Sequence, residues 1–209
     1  AFIYQHGGSI VDDVQNPTRM TFDDPRTIEA MEWYAALIHD YEVALPPNQA
    51  RKVGGSIRTG VYLNQIAMWS DWIDQRGGGT SGDLWPGEWK MRWGMAPLPQ
   101  DAQAAAPTVV TGYAISAQTD HPQACWQWVS FLSQQTRPPL DMVPARRSLA
   151  ESDDYARLVG EEVADVVQAA MVDAVLFSPS AIEFVDITIY GSAMNAIVYQ
   201  RQRFSPNRT

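Results

Sequence analysis

An α/β fold is the class this sequence predicts, and three observations predict it. Short continuous apolar runs that read as buried strands occur at 65–69, 91–98 and 109–116. They alternate with longer stretches in which apolar residues recur every three or four positions, the spacing of a helix face. The chain is also 45 % hydrophobic and only 19 % charged over its 209 residues, a composition that builds a core and is foreign to disordered chains. Strands mixed with longer helices favour helices layered on a sheet over an all-β architecture. At this length one domain or two small ones are expected.

The first helix is signalled by Phe22-Asp23-Asp24-Pro25. Asp24 can cap free N–H groups of the first turn, and Pro25 suits the first helical position because its missing N–H costs nothing there. Ile28, Met31, Tyr34, Ala35, Ile38 and Tyr41 then form one apolar stripe, ended by Leu45-Pro46-Pro47. The polar, glycine-dotted stretch 48–60 leads through a short helix into Gln65-Ile66-Ala67-Met68-Trp69, which reads as a buried strand. Residues 76–90, with Gly77 to Gly82 and Pro86-Gly87, read as a loop. Met91 to Leu98 returns as a strand, 100–107 is an alanine-rich polar connector, and Val109 to Ser116 is a third strand carrying Gly112. A second capped helix starts near Asp120-His121-Pro122 with Cys125, Trp128, Val129 and Leu132 on one face. After a proline-rich crossing at 136–144, helices are expected over 152–172 and 181–201.

Charge and cysteine use exclude whole classes of function. Fifteen Lys+Arg against twenty-four Asp+Glu give 15 − 24 = −9, a balance that repels phosphate backbones and excludes nucleic acid as a partner. No run approaches the roughly 20 apolar residues that cross a bilayer. The chain opens on Ala1, within sequence that already reads as structured and without a basic-then-apolar leader, so a piece of a longer protein is expected. The single cysteine, Cys125, forms no internal disulfide and no paired-cysteine metal motif, and its apolar neighbours suggest a small buried hydrophobe. His6, His39 and His121 are too far apart for a ligand spacing, so neither metal nor cofactor is expected.

Tryptophan placement is the main compositional anomaly. Trp69, Trp72, Trp85, Trp89 and Trp93 lie within 25 residues, interleaved with Asp71, Asp74 and Asp83. An indole face stacks on the C–H face of a sugar ring while carboxylates accept hydrogen bonds from its hydroxyls. Trp69 and Trp93 sit in expected strands and read as core; Trp72, Trp85 and Trp89 sit at a strand end or in a polar loop and are candidate contacts. Asp71 and Asp74 could equally serve a glycosidase, which needs two carboxylates flanking the scissile bond, but nothing fixes the charge state of either. Gly77 to Gly82 lacks the lysine of a phosphate-binding loop, and no nucleophile elbow occurs. Gly112 within a strand marks close approach or a bulge, Tyr113 beside it offers a ring and a hydroxyl, and Arg146 carries a fork of donors.

Taken in order, these residues resemble the C-terminal part of the type I extracellular solute-binding proteins of ABC importers, the carbohydrate and glycerol-phosphate receptors. The resemblance is carried by Tyr4-Gln5-His6-Gly7-Gly8-Ser9-Ile10-Val11-Asp12, by Thr21 to Pro25 with Glu29 to Tyr34, and by Gln65-Ile66-Ala67-Met68. It continues in Trp93-Gly94-Met95-Ala96-Pro97-Leu98-Pro99, in Gly112 to Ser116 with His121 to Trp126, and in Val143 to Ser148. Gln65 departs from the family's usual small residue.

The resemblance implies a periplasmic-binding-protein-like fold of type II, mainly its C-terminal lobe, with a mixed sheet flanked by helices. It implies a second-lobe segment over 1–107, a segment at 108–139 that crosses to the first lobe in full-length members, and a helical second-lobe return over 140–209. A non-enzymatic receptor is expected, extracytoplasmic (periplasmic or lipid-anchored through an N-terminal region outside this chain), with an ABC permease as partner of the full-length protein. Its ligand, a sugar, oligosaccharide or related small polar solute, would be contacted by Ser70, Asp71 and Trp72, by Gly112 and Tyr113, and by Arg146, with Trp85 and Trp89 added from the tryptophan pattern. A lone second lobe keeps half of those contacts and binds weakly. The segment 109–134 would leave a strand edge and a Trp-bearing face uncovered, so association between copies is expected. The rival reading is a glycoside-active enzyme or a Trp-rich carbohydrate-binding module, the latter disfavoured by the helical stripes.

Overall fold

The computed structural model describes residues 1–45, 60–61, 63–73, 76, 92–110, 112–137, 142–185 and 187–199. In chain order its elements are α1 (Phe2–Gln5), α2 (Pro25–His39), β1 (Ala106–Thr108), α3 (Pro122–Leu132), α4 (Arg147–Ala150), α5 (Asp153–Val159), α6 (Glu161–Val172), β2 (Ala174–Leu176), α7 (Pro179–Phe184) and α8 (Ile187–Ala193), the last continued by a π-helical turn, Met194–Tyr199. They fall into two units. The first comprises Ala1–Ala50, Leu98–Val109 and Asp173–Thr209; the second comprises Arg51–Pro97 and Val110–Val172.

In the first unit, Asp24 caps α2 as its place before Pro25 predicts. Its Oδ1 accepts the N–H groups of Arg26 at 2.9 Å and Thr27 at 3.2 Å. The buried face of α2 is Thr27, Ala30, Met31, Ala35 and Ile38. It packs with Ile3 of α1 and with Met194, Ile197 and Val198 of the π-helical turn, and Phe2 stacks on Tyr34 with centroids 4.7 Å apart. Tyr41, the expected end of the stripe, lies beyond the helix and is exposed. The Gly7-Gly8 pair has a structural cause. Gly7 holds φ at +82°, and a Cβ on Gly8 would sit 2.8 Å from the Thr27 backbone nitrogen, so the turn after α1 closes against the start of α2 only with glycine there. Next to it, His6 Nδ1 lies 2.5 Å from Asp101 Oδ2 and Nε2 lies 3.4 Å from Glu29 Oε2. The bond to Asp101, more than the weaker one to Glu29, raises the imidazole above its ordinary pKa.

The second unit is built around α5 and α6. Ser152 accepts the Tyr155 N–H and starts α5. Gly160, with φ at +94°, stops it, and α6 restarts one residue later with Glu161 and Glu162 in its first turn, where the helix dipole favours carboxylates. The single helix expected over 152–172 is therefore two helices bent at a glycine. Tyr155, Val163, Ala164 and Val167 form the buried cluster, with Ile73, Met95, Val143, Ala156 and Val159 against it.

Other expectations are corrected. None of the three expected strands forms a ladder among the described residues of 65–69, 92–98 and 109–116. The expected mixed sheet is, among the described residues, a two-stranded parallel one. It pairs Ala106 with Ala174 and Thr108 with Leu176, using part of the segment read as a connector. An apolar run supplies burial potential but not a partner. Met68, at the centre of one such run, is 88 % exposed. The helix expected over 181–201 is instead α7, α8 and the π-helical turn. His121 makes no side-chain cap to α3, Cys125 is half-buried, and α3 buries no residue, leaving Trp126, Trp128 and Phe131 each more than half exposed. The short helix expected between the stretch 48–60 and Gln65 shows at Gly60 and Val61, which are helical, while residues 48–59 and all but Arg76 of the loop expected at 76–90 lie outside the described residues.

Candidate functional site

A helix end in the second unit sets the geometry of a cleft. Gly60 and Val61 are helical, and the chain leaves them through paired bonds: the Gln65 N–H to the Gly60 carbonyl at 2.7 Å and the Asn64 N–H to the Val61 carbonyl at 3.0 Å. This pattern needs a left-handed residue between helix and exit, and Asn64 supplies it with φ at +57°. Asparagine is among the few residues with a side chain that take this conformation readily. The chain beyond runs without helix or ladder through Trp72, and Ile66 and Trp69 pack on the fully buried Val61.

Asn64, Ile66, Ala67, Trp69, Arg92, Trp93 and Gly94 line a cleft of about 280 Å³. Beyond this first wall, the rest of the described lining comes from the segment 92–94, the second wall. Glu162 on the first turn of α6 fixes the second wall, because its Oε1 accepts the Met95 N–H. A Cβ on Gly94 would come within 2.7 Å of that same oxygen, so a side chain there would displace the carboxylate that holds Met95. Ile73 and Met95, which flank the two walls in the chain, both pack on the cluster around Tyr155. Tyr155 is 1 % exposed, and its hydroxyl has no hydrogen-bond partner among the described residues. Burial pushes its phenol pKa up, partly opposed by the positive charge of Arg76.

Among the described residues its lining joins Ile66, Ala67 and two indoles to one guanidinium and one amide. That is the make-up of a site for a small polar ligand with a ring face to cover. Trp69 and Trp93, read from sequence as core, line it; Trp93 is 38 % exposed. Asn64, Arg92 and Gly94 were not singled out as site residues by the sequence. The nearest signal was the position of Arg92 and Gly94 on either side of Trp93.

The residues singled out from sequence stand as follows. Ser70, Asp71 and Trp72 continue the chain from Trp69 and are exposed, with Asp71 Oδ1 accepting the Trp72 N–H at 2.9 Å. Gly112 has open space around it and Tyr113 is exposed. Arg146 is exposed and donates through Nε and Nη2 to Ser133 Oγ at 3.2 and 3.0 Å. All six belong to the second unit, but none is among the residues that line the cleft. Trp85 and Trp89 lie outside the described residues. Among the described residues no three His, Cys, Asp or Glu side chains gather as a metal site would need, and no helix is long and apolar enough to cross a membrane.

Comparison with protein families matches residues 1–135 to the model described as bacterial extracellular solute-binding protein. Comparison with curated proteins and with solved structures returned no match.

Proposed function

The chain belongs to the family of bacterial extracellular solute-binding proteins, and from that premise we propose that its solute is a sugar or oligosaccharide. Proteins of this family act outside the cytoplasm, holding a small solute for the membrane permease of an ABC transporter; they work by binding. The observation that carries the sugar reading is the placing of Trp69 and Trp93 on one cleft with Arg92 and Asn64. Two indoles offer faces for the C–H side of a pyranose, and the guanidinium and amide offer donors and an acceptor to its hydroxyls.

Ser70, Asp71 and Trp72 are further contacts in this reading, since they extend the chain directly from Trp69. Gly112, Tyr113 and Arg146 enter through the family resemblance, and Trp85 and Trp89 through the tryptophan pattern. Residues 108–139 are the segment that passes to the first lobe in the full-length protein, a reading supported by the uncovered aromatic face of α3. Bound solute then stabilises the closed arrangement of the lobes by its extra contacts there.

The test is a titration of tryptophan emission against sugars, polyols, amino acids and short peptides. A sugar should shift the emission, and Trp69→Ala should weaken that response about tenfold, the worth of one good aromatic contact. A response to peptides alone would overturn the sugar reading. Hydrolysis of a chromogenic glycoside panel would favour a glycoside-active enzyme instead.

A further inference from the structure

Among the described lining residues of the cleft the one cation is Arg92, next to Trp93 in the chain. Arg92 is exposed, and no carboxylate pairs with it among the described residues. The Glu162 carboxylate beside Gly94 accepts the Met95 N–H through Oε1, keeps its negative charge and forms no ion pair with Arg92. The lining residues Asn64, Ile66, Ala67, Trp69, Trp93 and Gly94 are all uncharged, so the described lining carries a net positive charge within a chain of net charge −9. An acidic protein with a cation in its aromatic cleft draws an anion to that point and repels it elsewhere.

We propose that the cleft takes an acidic sugar, a uronic acid or an oligosaccharide containing one, with its carboxylate on the Arg92 guanidinium and its ring between Trp69 and Trp93. The inference rests on the sugar reading above and narrows it. A planar guanidinium meets a carboxylate through two parallel N–H···O bonds, about twice as strong as bonds between neutral groups and fixed in direction. A neutral sugar would leave that fork with hydroxyls only. The Asn64 amide can both donate and accept, which suits the ring hydroxyls beside the carboxylate. The left-handed turn at Asn64 holds its backbone at the cleft's edge.

The experiment uses the full chain and reads the indole N–H signals of Trp69 and Trp93 by nuclear magnetic resonance, assigned with Trp69→Phe and Trp93→Phe. The probes are digalacturonate, its dimethyl ester and galactobiose. The ester keeps the shape and removes the charge. Titration runs to about 50 mM, so that dissociation constants in the millimolar range still register. Digalacturonate should bind about tenfold more tightly than the ester at low salt, and the gap should narrow as added salt screens the pair. Arg92→Gln should bring the two ligands to within about twofold of each other, and Arg92→Lys, which keeps the charge but loses the fork, should fall between. Arg92 is exposed, so both variants should keep the wild-type circular dichroism.

Equal binding of all three probes would overturn the acidic-sugar inference and leave the sugar reading standing. So would a preference for digalacturonate that survives in Arg92→Gln. No shift of either indole with any probe would overturn the sugar reading, and the inference with it.

Discussion

Replacing Tyr155 by phenylalanine should stabilise the second unit, although the residue is almost wholly buried. Its ring packs among Val163, Ala164 and Val167, with Ile73 and Met95 alongside, and all of that contact survives in Tyr155→Phe. What is removed is a hydroxyl with no partner among the described residues. A buried polar group left unsatisfied costs about 1–3 kcal/mol. With its pKa raised by burial the phenol is neutral and the Arg76 charge has no phenolate to stabilise, so a net gain of about 1 kcal/mol, the low end of that range, is expected. With a urea slope of about 2 kcal/mol/M for a unit of this size, the midpoint should rise by about 0.5 M. Tyr155→Ala, which empties the ring's volume, should instead lose about 3–5 kcal/mol. Tryptophan emission is the natural probe, because Trp69, Trp72, Trp93, Trp126 and Trp128 all belong to this unit. The slope should not change. A midpoint lowered in Tyr155→Phe would refute the reasoning, since it would mean that the hydroxyl is satisfied and contributes to the fold.

Two further expectations follow from named contacts. The raised imidazole of His6 stabilises the first unit fully below the ordinary histidine pKa of about 6.5, and that contribution is lost as pH rises through the higher folded value. Urea midpoints by circular dichroism should therefore show wild type ahead of His6→Gln at acidic pH, with the difference shrinking as pH rises through the folded value; a difference growing with pH would contradict the pairing with Asp101 and Glu29. Gly94→Ala should push Glu162 off the Met95 N–H, costing about 1 kcal/mol, the net worth of one such bond. Glu162→Ala alone should cost a similar amount, and the double variant should cost little more than either, which a double-mutant cycle would read.

What was legible in the sequence was local. Asp24 before Pro25 predicts a cap that needs nothing beyond the next three residues, and the structure has it. Gly7 and Gly8 were visible as a family motif, but their reason, a backbone approach to Thr27, requires knowing that α2 returns to the chain start. The strands were misplaced for the same cause. Gln65 to Trp69 and Val109 to Ser116 are apolar enough for a sheet, whereas Ala106 to Thr108, a weaker run containing Pro107, pairs with Ala174 to Leu176 across more than half a hundred intervening residues. Composition cannot announce a partner so distant. Trp69 and Trp93 were read as core because large aromatics are mostly buried on average. Each is in fact partly buried and partly presented to the cleft, a division that neither residue's neighbours in sequence reveal. Asn64 escaped notice because its value lies in a backbone angle.

The way the cleft is held bears on how it binds. Its first wall leads into Ile73 and its second into Met95, and both side chains pack on one cluster supplied by α5 and α6. Glu162, on the same α6, holds the second wall by a backbone bond. Both walls are thus anchored, through Ile73 and Met95, on the one pair of helices α5 and α6. A site whose walls are already held in place loses little conformational entropy on binding, so more of the contact energy appears as affinity. The same arrangement predicts that damage to the cluster reaches the ligand. Val163→Ala, far from any proposed sugar contact, removes volume beneath both walls and should loosen the indole pair before it unfolds the unit. Its signature would be a weakened sugar response with the helical circular dichroism intact, whereas an unchanged response would show that the walls are held independently of that cluster.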